Sequence, residues 1–223
     1  IQYRGVTLNI IDTPGHVDFS GEVARVVNMA DGCLLVVDAV EGPMPQTRYV
    51  LKTALLNGLR PVVVLNKVDR SVEQVSTTLD AVNDLFLDLA TDSAQLDFPV
   101  LFASGKEGYS IAQLTDKPVD MGPLFDAIVE HIPAPLVDVD GDFQMLVTAL
   151  DHDSHLGQIA IGRVSRGILS QGESLAVIGE DGTVTSCKAD HLFSFRDLAR
   201  HRVDSMQAGD IVAVSGIKGV SIG

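Results

Sequence analysis

Residues 33–66 read CLLVVDAVEGPMPQTRYVLKTALLNGLRPVVVLN and predict a strand–helix–strand unit. The two ends, 33–38 and 61–66, are short apolar runs rich in valine, which is typical of strands buried on both faces of a parallel sheet. Between them, Pro45 suits the first turn of a helix, and the apolar side chains that follow fall on one stripe before Gly58. The unit therefore favours an open α/β sheet.

The same alternation continues on both sides of this unit. Further short apolar runs predict two more buried strands, and apolar residues at helical spacing predict three more helices. The added strands are at 6–11 and 99–103, and the helices are at 19–30, 72–90 and 123–131. We therefore predict that residues 1–134 form one α/β domain.

A different pattern follows this domain. Residues 133–142 (PAPLVDVDGD) hold two prolines, a glycine and three aspartates, which is typical of a linker, and we place that linker at 135–142. Beyond them, short β-rich segments alternate with evenly spaced glycines, which we interpret as turns and bulges, and Asp181-Gly182 is a hairpin signal. Residues 143–223 are therefore predicted to form an antiparallel β-barrel.

The charge of the chain is negative and unevenly distributed. The 223 residues carry a formal net charge of −14, and residues 71–140 alone hold two basic and thirteen acidic groups, net −11. Such a stretch disfavours local contact with nucleic acid, because phosphates are bound by Lys and Arg. Since no apolar run approaches the roughly 20 residues that cross a bilayer, we expect no membrane contact.

Three polar clusters follow predicted strands, at the carboxyl ends where open α/β sheets bind ligands. Each cluster alone is a weak signal with an ordinary turn as the alternative. Together, and in this order, they indicate a binding site. They are Asp12-Thr13-Pro14-Gly15-His16, Asn66-Lys67-Val68-Asp69 and Ser104-Gly105-Lys106.

The first cluster has the residue types of a phosphate site. The Asp12 carboxylate can hold a water of a magnesium shell, because Mg²⁺ prefers hard oxygen ligands and keeps several waters. The Gly15 N–H can approach a terminal phosphate closely, which would distinguish a triphosphate from a diphosphate. His16 would then lie where an attacking water needs orienting.

The other two clusters have the residue types of a guanine site. The Asp69 carboxylate can accept hydrogen bonds from the N1–H and the exocyclic amine of guanine, a pair of donors that adenine lacks. Asn66 can bond the N7 edge of the purine or tie loops together, and the stem of Lys67 can lie over the base. Ser104 and the Gly105 N–H could meet the guanine O6.

The motifs DTPGH, NKVD and SGK resemble signature segments of the translation-factor GTPases. The segment DAVEGPMPQTRYVLKTALLNGLRPVVVLNKVDR and the linker region HIPAPLVDVDGDFQMLVTALD are similar, within that superfamily, to the ribosome-associated TypA (BipA) family. The resemblance covers nearly the whole chain. It implies a P-loop-NTPase-like G domain, truncated at its N-terminus, and a translation-factor-type β-barrel that is cut short at its C-terminus.

The resemblance also implies a function. It implies binding of GTP and GDP with Mg²⁺, ribosome-stimulated GTP hydrolysis, a cytoplasmic or organelle-stromal location and a monomer. Asp12 is assigned to magnesium through water, Gly15 to the γ-phosphate and His16 to the catalytic water. Asn66, Lys67, Asp69 and Ser104 are assigned to guanine. Where the family usually has Ser-Ala-Leu, this chain has Ser104-Gly105-Lys106.

One family motif is missing. The phosphate-binding loop G-x-x-x-x-G-K-[ST] occurs nowhere in the 223 residues. Without its backbone nest and lysine the β-phosphate has no cradle. We therefore expect the chain to be a fragment of a GTPase and to be inactive alone. The alternatives are a fragment of another translation factor, such as an elongation factor G relative, and a non-hydrolysing module that docks on ribosomes.

Overall fold

The computed structural model describes residues 1–13, 20–196 and 199–223. By backbone contacts the chain divides into two compact units. One unit consists of 3–6 and 11–134, and the other of 1–2, 7–10 and 135–223. No helix in the described ranges is long and apolar enough to cross a membrane.

Strands and helices alternate through the first 134 residues. Within the described residues the order is β1 (Gln2–Tyr3), β2 (Val6–Thr7), α1 (Ser20–Val27), β3 (Gly32–Asp38), α2 (Pro45–Leu56), β4 (Arg60–Asn66), α3 (Val75–Leu89), a 3-10 helix (Ser93–Leu96), β5 (Val100–Ser104), β6 (Tyr109–Ile111) and α4 (Gly122–His131).

The main sheet of this unit has the strand order β3-β4-β5-β6. The first three strands are parallel, as the apolar runs predict, and β6 adds an antiparallel edge that the sequence reading missed. Five of the seven β4 residues are buried in succession, which is why that strand shows no polar alternation. The predicted α/β sheet is therefore confirmed around β3, α2 and β4.

Helices α2 and α3 pack on this sheet and form its largest hydrophobic core. Phe86 of α3 is fully buried, and its ring stacks on Phe98 with centroids 3.8 Å apart. The core combines apolar side chains from the two helices with alternate side chains of the strands. The members that are fully buried are Ala39, Leu51, Val63, Leu65, Val82 and Phe86.

The predicted buried strand at 6–11 is wrong. Only Val6–Thr7 is extended, both residues are exposed, and they pair with Gln2–Tyr3 instead of joining the main sheet. The cause is the turn between these two strands. Arg4 and Gly5 both have positive φ, 48° and 80°, which is the backbone of a tight two-residue hairpin turn. The turn brings Val6 and Thr7 beside Gln2 and Tyr3, and neither of these short strands pairs with the described strands of the main sheet.

The second unit is antiparallel, as predicted. Its largest sheet has the order β13-β12-β15-β8-β7, and the remaining strands form two pairs, β10-β11 and β14-β9. The strands are β7 (Gln144–Asp153), β8 (Gly157–Arg166), β9 (Ile168–Ser170), β10 (Ser174–Ile178), β11 (Val184–Lys188), β12 (His191–Arg196), β13 (Ala199–Val203), β14 (Ser205–Gln207) and β15 (Ile211–Ser215).

The evenly spaced glycines of this unit lie at turns and next to a bulge, as predicted. Gly157, Gly167 and Gly172 have positive φ: Gly157 begins β8 after a turn, and the other two lie between strands. Gly162 lies inside β8 next to a register shift in β7. The sheets of the described residues do not close into a continuous ring of backbone hydrogen bonds. The two edge strands of the five-stranded sheet are linked by side chains instead, since Arg200 of β13 forms an ion pair of 3.0 Å with Asp151 of β7.

Candidate guanine-nucleotide site

Three strand ends lie side by side at the carboxyl edge of the parallel sheet. Asp38 ends β3, Asn66 ends β4 and Ser104 ends β5. Asp38 pairs in register with Asn66, and Asn66 pairs with Ala103, the residue before Ser104. The second and third predicted clusters are therefore neighbours, at the edge where parallel sheets bind their ligands.

The loop after β4 is fixed to the strand on each side by backbone hydrogen bonds. On one side the Ala39 N–H donates to the Asn66 carbonyl at 2.8 Å, and on the other the Val68 N–H donates to the Ala103 carbonyl at 3.2 Å. Val68 is buried in the core beneath the loop, while Asp69 is exposed. The buried Val68 thus anchors the loop, and the carboxylate of the next residue, Asp69, is left exposed to solvent.

Asn66 ties the two predicted loops together. The Gly105 N–H donates a hydrogen bond of 2.9 Å to Asn66 Oδ1. The sequence leaves two roles open for Asn66, a bond to the purine N7 edge or a link between loops. The structure shows the link between loops. The Gly105 N–H is therefore engaged with Asn66 rather than available for a purine O6.

Ser104 shapes the turn that follows β5. Its side chain is fully buried, Oγ accepts the Glu107 N–H at 3.2 Å, and its carbonyl accepts the Gly108 N–H at 2.8 Å. This tight turn is possible because Gly108 has a φ of 77°. Gly105 and Lys106 are left exposed at its tip.

The exposed carboxylate of Asp69 is electrostatically linked to this turn. Burial raises the pKa of the Tyr109 hydroxyl, and the nearby charges of Glu107 and Asp69 raise it further. Tyr109 pairs in register with Ser104. Asp69 therefore lies within electrostatic reach of the strand pair that carries the third cluster.

Lys67 forms an ion pair with Asp38, a partner that was not predicted from the sequence. Its Nζ lies 2.5 Å from Asp38 Oδ2, and the other oxygen of Asp38 accepts the Val40 N–H at 2.8 Å and the Glu41 N–H at 3.3 Å. Asp38 follows the apolar, valine-rich run of β3, as the second and third predicted clusters follow the runs of β4 and β5. Its position was therefore a usable signal.

These contacts keep Asp38 charged. The hydrogen bond from Lys67 is the main cause that holds the pKa of Asp38 below its ordinary value, and the two backbone N–H groups add to it against the opposing effect of burial. A carboxylate with a lowered pKa in the folded state stabilises the fold above its unfolded-state pKa, and that contribution is lost as the pH falls through the folded pKa.

We therefore expect the stability difference between the natural chain and Asp38→Asn to depend on pH in one direction. The natural chain should be the more stable of the two at about pH 6, and the difference should shrink as the pH falls below about 4, the ordinary pKa at which Asp38 of the unfolded chain takes up its proton, until Asp38 of the folded chain is protonated at a still lower pH. Urea unfolding followed by tyrosine fluorescence measures this, because the chain has no Trp and Tyr3, Tyr49 and Tyr109 all belong to the first unit. A difference as large at pH 3 as at pH 6 would contradict it.

The first predicted cluster is only partly described. Asp12 is exposed and Thr13 is half-buried, and both lie outside any helix or strand. Pro14, Gly15 and His16 lie outside the described residues. Within the ranges that the structure covers, no group of three or more His, Cys, Asp or Glu side chains is placed to hold a metal ion. The structure thus brings the second and third clusters together, and of the first cluster it describes only Asp12 and Thr13.

Comparison with known protein families agrees with this arrangement. The family model described as "Elongation factor Tu GTP binding domain" matches residues 1–134, and the model "Elongation factor G domain 2" matches residues 142–223. The chain therefore belongs to the family of elongation factor Tu GTP-binding domains.

Within this family, the chain is clearly similar to proteins of one name, as three relatives show. The chain is 48% identical over 223 residues to the large ribosomal subunit assembly factor BipA of Synechocystis sp.. It is 45% identical over 222 residues to the protein of that name from Escherichia coli K12 and 43% identical over 223 residues to that of Bacillus subtilis. All of this chain is covered in each case, but it spans only 36–37% of the relatives' own length.

A solved structure supports the fold. Translation elongation factor SelB from Methanococcus maripaludis, in complex with the GTP analogue GppNHp, superposes with a TM-score of 0.72 at 22% sequence identity. The match covers 95% of this chain and 44% of that one. At this level of identity the likeness concerns the fold.

Proposed function

We propose that this chain carries the guanine-recognition part of a ribosome-associated GTPase. The observation that carries the proposal is the pair of adjacent loops at the carboxyl edge of the sheet, tied by the Gly105–Asn66 hydrogen bond, with Asp69 exposed beside them. The family match over residues 1–134 supports it, and so does the name of the relatives, large ribosomal subunit assembly factor.

In this proposal the base is held by the residues of the second and third clusters. Asp69 accepts hydrogen bonds from N1–H and the exocyclic amine of guanine, and Lys67 supplies its methylene stem to the face of the base. Asn66, Val68 and Ser104 shape the loops, and Gly105 and Lys106 border the base at the tip of the turn. Adenine presents no matching pair of donors to Asp69.

The first cluster is proposed to serve the phosphates. Thr13, Pro14 and Gly15 approach the terminal phosphate, and His16 orients the water that attacks it. Magnesium fits Asp12, because this ion keeps several waters and typically takes one or two protein carboxylates besides the phosphates of its substrate. The exposed Asp12 carboxylate is an oxygen donor of that kind, acting through water.

The wider assignments are proposals of the same kind. We propose a G domain at 1–134, a linker at 135–142 and a β-barrel domain at 143–223, acting as a monomer on the ribosome in the cytoplasm or an organelle stroma. GTP hydrolysis is proposed for a protein of the relatives' length. Because the phosphate-binding motif is absent from these 223 residues, we expect them to turn over little GTP alone. The same absence favours, as the second candidate, a module that docks on ribosomes without hydrolysis.

Asp69→Asn tests the base assignment. The asparagine amide offers one acceptor and one donor, so it matches the N1–H and O2 of xanthine but not the two donors of guanine. The preference for GDP over XDP should therefore fall by about 5- to 150-fold, which corresponds to about 1–3 kcal/mol for a bidentate base contact. Titration of the ¹⁵N-labelled chain with GDP, XDP and ADP at millimolar concentration, followed by the amide signals of 66–69 and 104–106, measures this.

Asp84→Asn is the matched control, since it removes the same charge from an exposed position on α3. It should leave all three affinities unchanged. Equal perturbation of the same amides by GDP and ADP in the natural chain would refute guanine recognition. Ribosome-stimulated GTP turnover by this chain, at the level of a complete relative, would refute both its expected inactivity and the non-hydrolysing alternative.

A further inference from the structure

We propose that Asp38 is a positioning residue for the base: by holding the ammonium of Lys67 at the end of β3, it leaves the methylene stem of Lys67, rather than the charge, to meet the face of a purine. The inference rests on the proposed function. It assigns a role to a residue outside the three predicted clusters.

The ion pair spans two neighbouring strand ends. Lys67 leaves the chain just beyond β4, and its Nζ meets Asp38 Oδ2 at the end of β3, at 2.5 Å. The Asp38 side chain is 15% exposed and that of Lys67 is 41% exposed. The charged end is thus drawn toward a largely buried partner while much of the side chain remains open to solvent. A lysine held at its charged end presents its apolar stem.

Asp38 is itself held in one orientation. Its Oδ1 accepts the Val40 and Glu41 N–H groups, which leaves Oδ2 for Lys67. A carboxylate fixed in this way can direct a flexible lysine, whereas a freely rotating surface carboxylate would move with it.

The backbone of Lys67 also indicates a specified geometry. Its φ is 68°, a left-handed conformation that non-glycine residues adopt at a cost and that persists only where the surroundings enforce it. The Arg70 N–H donates to the Lys67 carbonyl at 3.0 Å, and the Ala39 and Val68 bonds hold the residues on either side. Both ends of the Lys67 side chain are therefore held in place, the backbone end by these hydrogen bonds and the Nζ end by Asp38.

Two consequences separate this role from that of Asp69. A stacking surface serves every purine alike, so loss of the Asp38 charge should weaken GDP, XDP and ADP by the same factor. Asp69 reads the edge of the base, so its variant should change the ratio between GDP and XDP. For Asp38→Asn we expect a loss of about two- to fivefold for each nucleotide, as for one partly exposed ion pair.

The experiment is a double-mutant cycle on the ¹⁵N-labelled chain. The variants are Asp38→Asn, Lys67→Met and the double variant, titrated with GDP, XDP and ADP. Asparagine still accepts the Val40 N–H, and methionine keeps an apolar stem without the charge. If Asp38 acts through the lysine, Asp38→Asn should cost nothing further in the Lys67→Met background. Asp88→Asn is the control, because it removes one charge from the exposed Arg48–Asp88 ion pair of the same unit.

The outcomes separate the two proposals. An equal loss for the three nucleotides that disappears in the Lys67→Met background supports the positioning role. A loss that persists in that background, or one no larger than for Asp88→Asn, overturns it. If the natural chain binds GDP and ADP equally, guanine recognition is overturned. The positioning role still stands in that case, provided that Asp38→Asn weakens all three nucleotides equally and has no effect in the Lys67→Met background. In the free chain, a Lys67 ammonium ¹⁵N signal that is unchanged by Asp38→Asn also overturns the positioning role.

Discussion

Phe86→Ala should lower the free energy of unfolding of the first unit by about 3–5 kcal/mol, the usual cost of truncating a buried phenylalanine. Phe86 is fully buried in the core between α3 and the sheet, and it stacks on Phe98. Alanine removes the ring and leaves a cavity that the β-sheet beneath it cannot collapse to fill. Urea unfolding followed by tyrosine fluorescence measures the loss, since all three tyrosines lie in this unit.

The next residue of α3 supplies the control. Leu87 is 66% exposed, so Leu87→Ala deletes a similar apolar side chain from the same helix without opening a cavity. Its effect should stay within about 0.5 kcal/mol. Equal effects of the two substitutions would show that α3 does not pack on the sheet as described.

Gly162→Ala should destabilise the second unit by about 3 kcal/mol, at the upper end for overpacking. A Cβ at Gly162 would lie 2.1 Å from the Leu146 carbonyl oxygen and 3.1 Å from its carbon. Both are backbone atoms of the adjacent strand β7, so no side chain can rotate away to make room. The two strands must separate locally, which disrupts hydrogen bonds of the β7–β8 ladder.

A cysteine reports this change. Cys187 of β11 packs against the core of the second unit, whereas Cys33 belongs to the first. In a Cys33→Ala background, the rate at which Cys187 reacts with a thiol reagent in moderate urea follows the opening of the second unit, and Gly162→Ala should accelerate it.

Gly157→Ala is the comparison within the same strand. Its φ is 73° but an added Cβ meets nothing within 4 Å, so it should cost only about 1 kcal/mol of backbone strain. The prediction fails if Gly157→Ala opens the unit more than Gly162→Ala does.

The parts of the fold that follow from local pattern could be predicted. Strands β3 and β4 and the helix between them are recognisable in the sequence, and burial of β4 explains its unbroken apolar run. The prediction of burial on both faces is wrong for β3, in which Leu35 and Val37 are buried but Val36 between them is 57% exposed. The antiparallel β6 was missed because three residues carry too little periodicity. The hairpin at Arg4-Gly5 was missed because an arginine seldom adopts a positive φ, so RG is a weaker turn signal than NG or DG.

The candidate site was predictable to a similar degree. Residue type and position beyond a strand identified Asn66–Asp69 and Ser104–Lys106 as loops at one edge of the sheet. Their connections were not predictable, because whether Asn66 bonds a ligand or the Gly105 N–H depends on a distance between strands that are 39 residues apart. The Asp38–Lys67 pair depends in the same way on strand register.

The left-handed backbone of Lys67 sets two contributions to stability against each other at one position. Glycine adopts that conformation without penalty, but Lys67→Gly would also remove the ammonium from Asp38, whose side chain is only 15% exposed, and leave that carboxylate without its cation. A search for more stable variants, by design or by selection for expression, therefore meets opposing effects at this residue. The substitution that relieves the backbone is also the one that removes the side chain on which we propose the base rests.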